Sequence, residues 1–230
     1  MKVFLAAIVT AALIGCQSTG EKQVKLESQK DKVSYSIGLN IGNSFKRDSV
    51  TIVPDAFLRG VMDATADSAH RLMSDSSVQA TMMAFQQEMR AKRIENAKAL
   101  GERNRIAEEA FLSENAKKPS VITLPSGLQY KVLTEGTGKR PKATSTVTAN
   151  YVGKLLDGTE FDNSYKRGEP ATFPVTGNIK GLSEALQLMK EGSKWELYIP
   201  SKLAYGEAGA GGVIPPNSAL MFEVELLSVK

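Results

Sequence analysis

The sequence predicts an α+β chain: an all-α N-terminal region with a long connecting helix, then an antiparallel β-sheet wrapped around a short α-helix. Three observations carry this. Apolar residues recur at three- and four-residue steps as far as Met89, and helix-favouring residues carry on through Phe111. Pro119 stops that pattern, and valine, threonine, tyrosine and glycine replace alanine, glutamate and glutamine beyond it. One later stretch, Leu182, Ala185, Leu186 and Met189, returns to helical spacing and ends at Gly192. Many strands with a single short amphipathic helix imply a sheet whose apolar face covers that helix.

Residues 1–16 read as a targeting segment. Lys2 supplies a positive start, Val3 to Ile14 is apolar, and Gly15 precedes Cys16. The apolar run is too short to span a bilayer. Leu13-Ile14-Gly15-Cys16 resembles a bacterial lipobox, which implies lipidation at Cys16 and a membrane anchor without a spanning helix. Cys16 is the only cysteine, so disulfides are excluded. Residues 17–30 are polar and read as a flexible tether. The net charge of +4 comes from 29 basic and 25 acidic residues mixed along the chain, which gives little support to nucleic acid as a partner.

Residues 31–118 read as a helical dimerisation domain. Asp31 suits an N-cap for a helix carrying Val33, Ile37, Ile41 and Phe45. Gly38 and Gly42 run beside that stripe, and glycine inside a helix costs roughly 1 kcal/mol against alanine. Their register predicts a neighbouring backbone passing close by. Pro54 suits the first turn of a second helix with Phe57, Val61 and Ala64 on its apolar side. A third begins near Ser74–Ser77 and runs through Val78, Met82, Phe85 and Met89 toward Phe111. Unbroken, it has about forty residues, on the order of 60 Å at 1.5 Å per residue. Its first half is apolar and predicted to pack; its second half is charged and predicted to cross solvent, with Gly101 a place to bend. The two short helices offer too little apolar surface to stand alone, which predicts pairing with a second copy.

Residues 119–230 read as a β domain. Ser126-Gly127 turns into a strand from Leu128 to Leu133, and Thr144 to Gly153 forms the next. Asp157-Gly158 is a hairpin signal leading to Thr159-Glu160-Phe161-Asp162. After the helix come strands at Trp195 to Ile199 and Ala219 to Val229. A glycine-rich loop with one tyrosine, Tyr205, joins these two and ends on Ile214-Pro215-Pro216. Such a loop loses much conformational freedom when ordered, which points to a function.

His70 is the only histidine, and with one cysteine there is no metal-ligating cluster. Neither a hydrolase motif nor a phosphate-cradling glycine loop is present. The expected chemistry therefore uses no metal and no cofactor. Rotation about a prolyl peptide bond fits, since it breaks no covalent bond. Its barrier of roughly 18–20 kcal/mol reflects the resonance of the planar amide. An apolar pocket disfavours that dipolar form, while one or two donors hold the carbonyls.

The stretches NYVGKLLDGTEFDNS (150–164), IKGLSEAL and LAYGEAGAGGVIPPNSALMFEVELL resemble an FKBP-type peptidyl-prolyl cis–trans isomerase over residues 120–230. The signal peptide and helical half resemble the dimeric bacterial cell-envelope subfamily that includes macrophage infectivity potentiators. The resemblance implies prolyl isomerisation in proline-containing, partly folded protein clients outside the cytoplasm. It implies Tyr151, Phe161, Asp162, Tyr205 and Phe222 as catalytic residues, with Arg167, Ile179, Leu182 and Ile214 binding substrate. Tyr205 would donate its hydroxyl to a substrate carbonyl and Ile179 its backbone N–H; Asp162 would pair with Arg167 and fix the Tyr151 hydroxyl. Three positions depart from the family pattern. Leu182 replaces the aromatic of the pocket floor, Ala171 a wall aromatic, and Ala210 a frequent histidine. They predict a roomier, less aromatic pocket and keep a non-catalytic chaperone as the alternative reading.

Overall fold

The computed structural model describes residues 24–66 and 71–230. The targeting segment, Cys16 and His70 lie outside the described residues. The chain divides into two compact units, one ending at Ser74 and the other running from Asp75 to Lys230. No helix among the described residues is long and apolar enough to cross a membrane.

The first unit contains α1 (Gln29–Arg47) and α2 (Pro54–Thr65). Ser28, not Asp31, caps α1. Asp31 is the third helical residue, its N–H donating to Ser28 Oγ at 3.1 Å while Ser28 N–H donates to Asp31 Oδ2 at 2.8 Å. This reciprocal pair satisfies two donors that a helix start leaves open. Pro54 opens α2 as the sequence predicts. Phe45 and Phe57 meet edge to face at 5.8 Å. Neither helix has a buried residue, and Ile37 and Val61 remain 55% and 47% exposed. A Cβ at Gly38 or Gly42 would meet nothing within 4 Å, so the close backbone expected beside them is absent among the described residues.

The second unit begins with α3 (Asp75–Asn115), 41 unbroken residues that do not bend at Gly101. Its packing reverses the expectation. Val78, Met82 and Met83 are exposed, whereas Gly101 and Asn115 in the charged half are buried. Gly101, Asn104, Glu108, Phe111 and Asn115 fall at steps of three and four along one helix face. That face is mostly small or polar, so it carries no apolar stripe. It meets the domain through specific contacts: Phe111 tilts against Tyr198 at 5.8 Å. Asn115 Nδ2 donates to Gln129 Oε1, and Gln129 Nε2 to Leu112 O, each at 2.9 Å.

The sheet comprises β1 (Ile122–Thr123), β2 (Gln129–Thr134), β3 (Thr146–Leu155), β4 (Glu160–Asn163), β5 (Ala171–Pro174), β6 (Lys194–Ile199) and β7 (Leu220–Val229). Their order is β1-β2-β6-β7-β3-β4, with β5 also paired to β3, and every pairing is antiparallel. One-turn α4 (Ser164–Arg167) follows β4, and α5 (Lys180–Leu188) packs on the sheet. Leu182, Ala185 and Leu186 of α5 are buried in one core with Leu197, Ile199 and Leu220. A Cβ at Gly181 would lie 2.3 Å from Ile199 Cγ2, so only glycine admits this close approach of helix to sheet. Trp195 is 5% exposed and stacks on Tyr130 at 4.3 Å. It is a core residue on β6.

Candidate active site

A cavity of about 790 Å³ opens between the first turn of α5, strands β3 to β5 and the loop joining β6 to β7. Strand alternation sets its aromatic wall. Tyr151 on β3, Phe161 on β4 and Phe222 on β7 all line it. Phe161 and Phe222 meet at 5.5 Å and 81°, and Tyr151 lies 6.1 Å from Phe222. Edge-to-face pairs of this kind suit the ring quadrupole. Gly153 beneath them is a structural requirement: a Cβ there would approach the Phe161 ring to 2.7 Å and the Phe222 ring to 2.9 Å.

A polar cluster braces one side of this wall. Tyr151 Oη donates to Asp162 Oδ2 at 2.7 Å. Arg167, at the end of α4, donates from Nη1 to Asp162 Oδ1 and from Nη2 to Tyr151 Oη at 3.0 Å. Asn163 caps α4 by accepting from Lys166 N–H at 3.2 Å, which holds Arg167 in reach. Burial pushes the Tyr151 hydroxyl above the ordinary tyrosine range, and its hydrogen bond to Asp162 adds to the effect. The phenol therefore stays protonated and donating at neutral pH. The hydrogen bonds from Arg167 to Tyr151 and Asp162 raise the guanidinium pKa further.

Two of the groups at the cavity are of interest as donors. Tyr205 is 42% exposed on the cavity rim, and its hydroxyl has no partner among the described residues. Ile179 is the N-cap residue of α5, and its backbone N–H likewise has none. Leu182, one turn on and 6% exposed, lines the cavity, as do Ile214, Ala171 and Ala210. Arg167 stands behind the wall. All nine residues expected at the site thus converge on this region.

Two family models match the chain: FKBP-type peptidyl-prolyl cis-trans isomerase over residues 137–227, and the domain amino-terminal to it over residues 30–132. The outer membrane protein MIP of Legionella longbeachae is 42% identical over 230 residues, covering 100% of this chain and 98% of the relative. The chain belongs to the FKBP-type peptidyl-prolyl cis-trans isomerases. The peptidyl-prolyl cis-trans isomerase Mip of Coxiella burnetii is also 42% identical, over 229 residues, 100% of this chain and 98% of the relative. The crystal structure of FkpA from Escherichia coli superposes with a TM-score of 0.73 at 38% identity, covering 90% of this chain and 99% of that one.

This isomerase has one cavity aromatic that the sequence does not reveal. Phe173 on β5 lines the pocket and meets Tyr151 at 6.4 Å and 76°. It shares a strand face with Ala171, two residues before it, so the wall next to Ala171 is more aromatic than that position alone predicts. Alternation within Ala171-Thr172-Phe173-Pro174 is the signal, but four residues are too few to recognise as a strand.

Proposed function

We propose that this isomerase turns prolyl bonds of exported, partly folded proteins, with Tyr205 and the Ile179 N–H as the groups that hold substrate carbonyls. The carrying observation is that both donors lie unpaired on an apolar, aromatic-walled cavity. A prolyl ring seated against Phe161, Phe222 and Ile214 leaves water, and the planar, dipolar amide loses solvation there. Hydrogen bonds to flanking carbonyls fix the chain while the amide twists. Asp162 and Arg167 keep the Tyr151 ring in place and take no proton. One relative's name, an outer membrane protein, supports an envelope location, and the lipobox-like residues 13–16 support lipid attachment at Cys16. Helices within 31–118 form the dimerisation region, and residues 119–230 the isomerase domain.

A protease-coupled assay on a proline tetrapeptide tests the site. Tyr205→Phe is expected to lower kcat/KM about fivefold, the effect of one net hydrogen bond. Asp162→Ala is expected to lower it about tenfold, since it frees both the Tyr151 hydroxyl and the Arg167 charge. Full activity in both variants removes the assigned roles. Leu182, an aliphatic residue at the floor, favours a second reading in which the pocket binds without fast turnover. A parent no faster than the thermal rate, with refolding assistance retained, carries that reading instead.

A further inference from the structure

The loop from Pro200 to Ala219 supplies both Tyr205 and Ile214 to the cavity. Among its backbone ties, two pull distant parts of the loop together. Ala210 N–H donates to Ile214 O at 2.8 Å and Ile214 N–H to Ala210 O at 2.9 Å. Asn217, at φ +52° in the left-handed region that asparagine tolerates, donates its N–H to Gly206 O at 2.8 Å. Through that second tie, the residue beside Tyr205 is fastened to the segment 216–218.

That segment is in turn held by α3. Asn104 Nδ2 donates to Pro216 O at 2.8 Å and to Ser218 Oγ at 3.3 Å. Asn217 Nδ2 donates to Gly101 O at 3.3 Å. Gly101 is buried, and a Cβ there would stand 3.1 Å from Pro216 Cβ and 3.3 Å from Asn217 Nδ2. One helical turn on, Glu108 Oε2 accepts from Ser201 N–H at 2.8 Å at the other stem of the loop. The helix therefore grips both ends of the catalytic loop from one face. These contacts add nothing to the hydrophobic core, whose buried residues all lie between Leu128 and Leu226.

We propose that Gly101, Asn104 and Glu108 are positioning residues for isomerisation, holding the loop stems so that Tyr205 and Ile214 stay in register with the aromatic wall. The inference rests on the roles given above to Tyr205 and Ile214. Its physical basis is entropic. A loop with this many glycines samples many arrangements unless its ends are fixed, and a donor displaced by a fraction of an ångström stabilises the twisted amide less.

Asn104→Asp keeps the side-chain shape and removes the amide donor, and Glu108→Ala removes the acceptor. In the full chain, at about 10 °C where the uncatalysed reaction is slow, each is expected to lower kcat/KM about fivefold, chiefly in kcat. Glu108→Gln, which retains an acceptor oxygen, is expected to stay within about twofold of the parent, as is Arg103→Ala on an exposed part of α3. With 3-fluorotyrosine incorporated, the Tyr205 resonance, assigned by its loss in Tyr205→Phe, is expected to move in Asn104→Asp and Glu108→Ala but not in Arg103→Ala. Folded Asn104→Asp and Glu108→Ala proteins that keep parental kcat/KM, or lose activity with the Tyr205 resonance unmoved, overturn the proposal. Full activity in Tyr205→Phe overturns the donor role of Tyr205 alone; loop positioning is then decided by the kcat/KM of Asn104→Asp.

Discussion

Leu182 gives the cavity an aliphatic residue where the resemblance to the family implies an aromatic ring. A leucine provides dispersion contacts but no flat face for a prolyl ring, and a ring face adds about 0.5–1.5 kcal/mol beyond buried area. With a cavity of about 790 Å³ there is room for a larger side chain. Leu182→Trp is expected to raise kcat/KM on the proline tetrapeptide about threefold while lowering stability by on the order of 1 kcal/mol from local overpacking. The assay and a urea titration read the two effects separately, and a folded variant with unchanged or lower kcat/KM refutes the account. Single residues of the site differ in how far the sequence exposes them. Tyr151, Phe161, Asp162 and Phe222 sit in long stretches whose order and spacing carry the family pattern. Gly153 is in the same stretch, yet its role is visible only once the Phe161 and Phe222 rings are seen above it. Asn104 was unreadable because a half-buried asparagine in a charged helix looks like any solvated polar residue.

Helix α3 and strand β6 meet through Phe111 and Tyr198, and the burial of Tyr198 gives the second unit a sensitivity to alkali. Burial pushes the Tyr198 hydroxyl from the ordinary 10.0 up to about 12, and the nearby Glu196 carboxylate adds to the effect. Between those values an unfolded chain has lost a proton that the folded chain retains. Stability is therefore complete below the lower value and falls as pH rises toward the upper one. Urea midpoints taken at about pH 9 and about pH 11 are expected to drop less in Tyr198→Phe than in the parent. Equal drops refute the assignment. The same scale shows where periodicity works and where it fails. Helix α5 and strands β3, β6 and β7 are long enough for their repeat to be read, and their observed bounds lie within about two residues of expectation. Strand β5 and helix α4 have four residues each, too few for a repeat to emerge. The docking of α3 is hidden from periodicity for another reason: hydrogen bonds, one glycine and a single aromatic contact, not an apolar stripe, hold it.

For the molecule as a whole, the described residues of the first unit hold no core. Two helices without one buried residue, and with Ile37, Leu58 and Val61 open to water, leave apolar faces that a second copy would cover. Light scattering is expected to give twice the chain mass, and the double variant Ile37→Asp, Val61→Asp the single mass. Tetrapeptide turnover should not change in that variant, because every cavity residue lies between Tyr151 and Phe222 of one chain. A parent of single-chain mass rules the pairing out. The grip of α3 on the loop also bears on how such enzymes are dissected. A fragment beginning at Ser120 would retain the whole cavity lining yet lack Gly101, Asn104 and Glu108. Turnover measured on that excised piece would describe a loop whose stems α3 no longer holds, and inhibitors ranked on it would be ranked against a less restrained site.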